Sequence, residues 1–108
     1  MKKREPSEFE QRVYDATRRI PKGKVTTYKL LATELGCGSN QAVGQALKRN
    51  PFAPEVPCHR VVRTDLTIGG FYGQTEGREI VRKKKMLEQE GVDLDGRGRV
   101  PADLVFGY

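Results

Sequence analysis

Apolar side chains recur along this chain at helical spacing. Phe9, Val13, Thr17 and Ile20 fall on one helix face. Ser7 followed by Glu10 makes a capping box at its start and Pro21 ends it, which predicts a first helix over residues 7–19. Lys22 to Thr26 reads as a turn with one or two extended residues. Thr27 can then cap a second helix whose inner face is Leu30, Leu31 and Leu35 and which stops at Gly36. After the turn Gly36-Cys37-Gly38, Ser39 is an N-cap, and Ala42, Val43, Ala46 and Leu47 form the stripe of a third helix ending before Pro51. Two short helices joined by a tight glycine turn, followed by Lys48 and Arg49, read as a helix-turn-helix over about 27–49.

The pattern then changes period. Residues 51–57 contain three prolines and cannot be helical. Arg60 to Val62 and Leu66 to Ile68 read as short extended segments around Thr64-Asp65, and residues 69–73 as a glycine loop. A last helix opens at Thr75 or Glu76 and runs to about Glu90, where Gly91 ends it. The tail, 92–108, has too few apolar residues for regular structure, although Val100, Leu104, Val105 and Phe106 can pack back on the body. The expected fold is mainly α: a single winged helix-turn-helix-like domain over residues 1–108, with a small β wing.

Composition narrows the class. A chain of 108 residues fits one domain, and 36% hydrophobic residues are enough to collapse it. No apolar run approaches a membrane span, and the basic amino terminus has no apolar core behind it, so no membrane or secretory segment is expected. Two cysteines, Cys37 and Cys58, do not resemble a secreted disulfide framework; a reducing, cytoplasmic setting fits better. The net charge of +6 is unevenly placed. Between residues 16 and 63, Arg18, Arg19, Lys22, Lys24, Lys29, Lys48, Arg49, Arg60 and Arg63 face only Glu34 and Glu55, and both flanks are close to balanced. An anionic partner would meet that stretch, although a basic surface kept for solubility gives the same map.

The most informative string is Pro57-Cys58-His59-Arg60-Val61. A thiol is a strong nucleophile only as thiolate, and an adjacent imidazole with a guanidinium nearby favours that form. His59 is the chain's one histidine, hence the leading base for Cys58, and a carboxylate would be needed to hold its other nitrogen. Sequence neighbours need not be spatial partners, and an incidental pair stays open on spacing alone. Cys37, Cys58 and His59 lack the paired spacing of a structural zinc site, and a disulfide between the cysteines is merely permitted. No metal and no cofactor are expected.

Taken together with Asn50-Pro51 before it and Gly69-Gly70-Phe71 and Glu90-Gly91 after it, this string resembles the active-site, DNA-binding domain of the O6-alkylguanine-DNA alkyltransferases. The likeness runs from about Phe9 to Glu90 and takes in residues 20–28 (IPKGKVTTY) and 42–47 (AVGQAL). The separate amino-terminal domain of many members has no counterpart here, as in the shorter alkyltransferase-like proteins. The resemblance implies that Cys58 accepts the alkyl group in one irreversible displacement, with His59 as its base and Glu90 as the carboxylate that orients the imidazole. It implies that Tyr28 donates to guanine N3 as charge develops on the leaving base, and that Asn50 braces the Pro-Cys-His turn. Base and DNA contacts are implied for Gln41, Ala42 and Gly44 on the third helix, for Arg60 and Val61, and for Gly70, Phe71 and Tyr72 in the glycine loop.

The partner so implied is double-stranded DNA containing O6-alkylguanine, met by a monomer after the nucleotide is flipped. Gln41 stands where the family places an arginine, so the plug for the vacated stack is neutral and shorter. Lys83 matches a lysine common in the last helix, yet Arg82 to Lys85 reads as a solvated face. Tyr14 and Phe9 read as core, and Cys37 as an incidental small residue.

Three functions are expected to compete. A stoichiometric repair methyltransferase uses every motif. An alkyltransferase-like sensor would bind the lesion and recruit other repair proteins; such proteins often carry tryptophan in place of the acceptor cysteine, whereas this chain has Cys58 and no tryptophan. A winged-helix regulator explains the charge map but leaves Tyr28, Asn50 and Glu90 without a role.

Overall fold

The first helix is set by its cap. In the computed structural model, which describes residues 5–52, 55–70 and 76–108, α1 spans Glu8–Arg18. The Ser7 hydroxyl accepts from the Glu10 amide and the Glu10 carboxylate accepts from the Ser7 amide, satisfying two of the N–H groups a helix start leaves open. Val13, Tyr14, Ala16 and Thr17 face inward, and the Tyr14 hydroxyl donates to the Ala46 carbonyl at 2.7 Å, which ties α1 to α3.

Strand β1 (Thr26–Thr27) runs straight into α2 (Tyr28–Glu34) because the Thr27 hydroxyl accepts from the Leu30 amide at 3.1 Å and caps the helix. Gly36, at φ +65°, turns the chain, and Ser39 caps α3 (Asn40–Lys48) in the same way, accepting from the Ala42 amide. Leu31, Ala32, Val43, Ala46 and Leu47 close the core with α1. Leu30, expected on the inner face, is instead 36% exposed, because a helix of only two turns presents a single narrow stripe inward and Leu31 with Ala32 occupies it.

A one-turn 3₁₀ helix (Cys58–Arg60) leads into β2 (Val61–Val62), which pairs with β1 in parallel, Thr26 opposite Val61. Of the two extended segments expected around Thr64-Asp65, Arg60 to Val62 contains β2, and the link after it is a tight turn closed by the Arg63 amide donating to the Thr67 carbonyl and pinned by Asp65, which accepts from Thr67. Leu66–Ile68 forms no strand; Thr67 makes an isolated bridge to Arg99. The sheet is therefore built from distant segments, with Val105 of the tail bridging to Val25 on the other edge of the β1 segment.

Helix α4 spans Arg78–Gln89 and is capped by Gly77, so Glu76 precedes the helix and Thr75 lies outside the described residues. A second apolar cluster, Val25, Val62, Leu87, Val92 and Val100, joins sheet, α4 and tail. The tail is more regular than its composition suggested, with a 3₁₀ turn at Ala102–Leu104 and Phe106 donating its amide to Val25. Among the described residues no helix is long and apolar enough to cross a membrane.

Candidate active site

The segment that carries Cys58 is held from behind by Asn50. Its side-chain amide donates to the Val56 carbonyl at 3.0 Å, and its side-chain oxygen accepts from the Phe52 amide at 2.9 Å. Buried and bonded through both its side-chain nitrogen and its oxygen, Asn50 ties Phe52 and Val56 together behind the 3₁₀ helix. Cys58 then begins that helix with its amide bonded to Val56, its side chain buried among the helical core residues and 7% exposed. Both cysteines are free thiols, Cys37 lying in the turn against Ser39.

One residue further, His59 is 3% exposed, and its Nε2 lies 2.9 Å from Glu90 Oε2 at the carboxyl end of α4. Burial pushes the imidazole below its usual 6.5, and the bond and charge of Glu90, which raise it, do not fully restore it; Arg60 and Lys83 push the same way as burial. Burial would raise Glu90, but the bonds from Arg60 and His59 and then their charges override it and bring the carboxyl to about 2. An ionised carboxylate only accepts, so Nε2 carries the proton and the Nδ1 lone pair is left basic. This is a neutral, oriented base.

Arg60 is spent inside this arrangement. Its Nε and one terminal nitrogen grip the two oxygens of Glu90 at 2.8 Å each, and the other terminal nitrogen donates to the Ile20 carbonyl. Val61, its neighbour, is fully buried and paired with Thr26. Val61 turns no side chain to the surface, whereas Arg60 braces Glu90 and also lines a small hollow with Lys22, His59 and Glu90.

An open cleft of about 570 Å³ lies over the other side, walled by Asn40, Gln41, Gly44 and Gln45 of α3 and by Tyr28, Arg63, Thr64 and Gly70. Burial, then the nearby Cys58 sulfur, pushes the Tyr28 hydroxyl above 10, and Arg63 partly offsets them. The cleft, its phenol and the thiol thus share one electrostatic neighbourhood. Ala42 lines a different hollow with Phe9 and Glu10, between α1 and α3. Phe71 and Tyr72 lie outside the described residues.

Lys83 corrects the reading of α4 as a solvated basic face. It is fully buried, and its amine donates to the carbonyls of Val61, Ile68 and Gly70 at 2.7, 2.6 and 2.9 Å, fastening β2 and the glycine loop to α4. Burial lowers it to about 7, against a smaller raising effect of Cys58. The available signals were its match to the family lysine and its place between Ile80 and Leu87 on the inward stripe of α4, whereas the flanking Arg82, Lys84 and Lys85 are exposed as a helix surface should be. Arg63 was likewise missed as a cleft residue, because only the fold brings it opposite α3. Among the described residues no group of three or more His, Cys, Asp or Glu side chains is placed to hold a metal.

The model for the 6-O-methylguanine DNA methyltransferase DNA-binding domain matches residues 8–92. This chain belongs to that family. A methylated-DNA--protein-cysteine methyltransferase of Methanothermobacter thermautotrophicus is 42% identical over 91 residues, covering 84% of this chain and 48% of its own length. The chain spans about half the length of the curated family members it matches. Among solved members, a Mycobacterium tuberculosis OGT in complex with DNA superposes with a TM-score of 0.73 at 38% identity, over 81% of this chain and 51% of that one. Schizosaccharomyces pombe (S. pombe) Atl1, in complex with damaged DNA containing O6-carboxymethylguanine, gives 0.78 at 33% identity and covers 94% and 96%. The similar proteins thus include both longer methyltransferases and one matched over nearly its whole length.

Proposed function

We propose that the protein repairs DNA by moving the alkyl group of O6-alkylguanine onto Cys58, once per molecule. The observation that carries this is the His59–Glu90 pair, a neutral imidazole on a carboxylate locked by Arg60, directly after a free thiol whose sulfur lies in electrostatic reach of the tyrosine of an open cleft. In the displacement the thiol proton goes to His59, the Cys58 sulfur bonds to the alkyl carbon, the bond to O6 breaks, and the guanine leaves with negative charge that Tyr28 can quench by donation. Reaching O6 requires extruding the nucleotide into the cleft between Gln41 and Tyr28, at a cost of a few kcal/mol. DNA-bound relatives support duplex DNA as the partner, and Gly44 on the cleft wall leaves room for close backbone approach.

The second reading is lesion binding without transfer. It is favoured by one observation, the match to Atl1 over nearly the whole of both chains. The test is intact mass after incubation with a duplex containing one O6-methylguanine. A gain of one methylene on the peptide bearing Cys58 supports transfer; tight lesion-selective binding at unchanged mass overturns it in favour of the sensor.

A further inference from the structure

We propose that Arg63 is a specificity-determining residue of the cleft, favouring O6 adducts that end in a carboxylate over neutral adducts of similar size. The inference deepens the reading of this cleft as the base site and rests on it. Arg63 is the one charged side chain among the described residues lining the cleft, whose other walls are the neutral Tyr28, Asn40, Gln41, Gly44, Gln45, Thr64 and Gly70. It is exposed and makes no ion pair or side-chain hydrogen bond among the described residues. Asp65 feels its charge, but the Asp65 oxygen is taken by the amide and hydroxyl of Thr67.

The stem of Arg63 is seated as well. Gly69, buried at φ +71°, lies between it and Tyr28: a Cβ there would come within 3.2 Å of Arg63 Cγ and 3.6 Å of the Tyr28 ring. The missing side chain lets the arginine lie along the cleft wall, where its charge reaches both the Tyr28 hydroxyl and the Lys83 amine. Lys83 lies behind the wall that carries Gly70, its amine bonded to the carbonyls of Val61, Ile68 and Gly70 and lowered by burial to about 7, so the cleft's standing charge is that of Arg63. A lesion base in this cleft therefore meets the charge of Arg63 and, among the described lining residues, no carboxylate. A guanidinium can take a carboxylate through two parallel bonds, whereas an alkyl end offers it nothing. Transfer from such an adduct forms the bond from Cys58 sulfur to the methylene carbon, breaks that carbon's bond to O6, and leaves the thiol proton, by way of His59, on the departing guanine.

The test compares duplexes carrying O6-carboxymethylguanine or the neutral O6-propylguanine, one heavy atom smaller, with the full chain and its Arg63→Gln and Arg63→Lys variants. Two readouts are taken: the rate of mass gain at Cys58, and equilibrium binding in a Cys58→Ala background. Arg63→Gln is expected to lower the carboxymethyl-to-propyl ratio about fivefold in both readouts, with Arg63→Lys keeping it within about twofold. An unchanged ratio, or an equal loss on both duplexes, overturns the assignment and makes Arg63 a phosphate contact at most. If no duplex alkylates Cys58, transfer fails as a function, and the binding ratio alone still decides Arg63.

Discussion

Nε2 of His59 lies 2.9 Å from Oε2 of Glu90, and the same carboxylate is gripped by Arg60 through two further bonds of 2.8 Å. The carboxylate therefore has no freedom to turn away from the imidazole, and the proton on Nε2 is fixed by an acceptor that stays ionised. Glu90→Gln removes both properties, since an amide can present its own N–H to the ring. Transfer from O6-methylguanine is expected to slow by about 100-fold or more at neutral pH, while lesion binding changes little. Single-turnover mass measurements check this, and a full-speed variant would remove Glu90 from the chemistry.

The same pair sets the acid limit of the fold. Glu90 is held at about 2 from an ordinary 4.5, so between these values the unfolded chain binds more protons and stability drops as pH falls. His59, lowered from 6.5 by burial, acts with the same sign at higher pH, because the unfolded chain takes up its proton first. Urea midpoints are expected to fall from pH 7 toward pH 3, with Glu90→Gln flattening the part below 4.5. A wild-type midpoint independent of pH would contradict the geometry.

Lys83 is predicted to be a structural anchor, not a dispensable surface charge. Lys83→Met leaves three carbonyls without their donor, each worth about 1–3 kcal/mol, partly offset by no longer burying an ammonium. A net loss of about 2–4 kcal/mol is expected in denaturant unfolding. Lys84→Met, one position along on the exposed face, is expected to stay within about 0.5 kcal/mol. Equal effects would return Lys83 to the solvated face.

Gln41 faces the cleft from α3, opposite Tyr28 and Arg63. Gln41→Arg adds a cation there, so binding to a lesion duplex is expected to tighten at low salt, with a salt slope steeper by about one phosphate contact. Unchanged affinity and unchanged slope would show that this position does not meet the nucleic acid.

Local chemistry in the sequence reached far. Ser7, Thr27 and Ser39 each cap the helix they were expected to cap, because a hydroxyl and the amide it accepts from are only three residues apart. The spacing of Val13, Ala46 and Leu47 likewise named core positions that the fold buries. Leu30 shows the limit, since its burial depended on how wide a face the other helices leave for α2.

What was readable without coordinates was therefore whatever neighbours along the chain settle: four helices and the N-caps of the first three, the turn at Gly36, and a thiol beside an imidazole. The folded structure alone decided the contacts that cross the chain. It paired β1 with β2, gave Arg60 to Glu90 thirty residues away, sank Lys83 under three carbonyls and set Arg63 across from Gln41. The reason is physical: a charge on the inward stripe of a helix can be buried only if distant segments bring it partners, and their packing alone determines whether it loses its water.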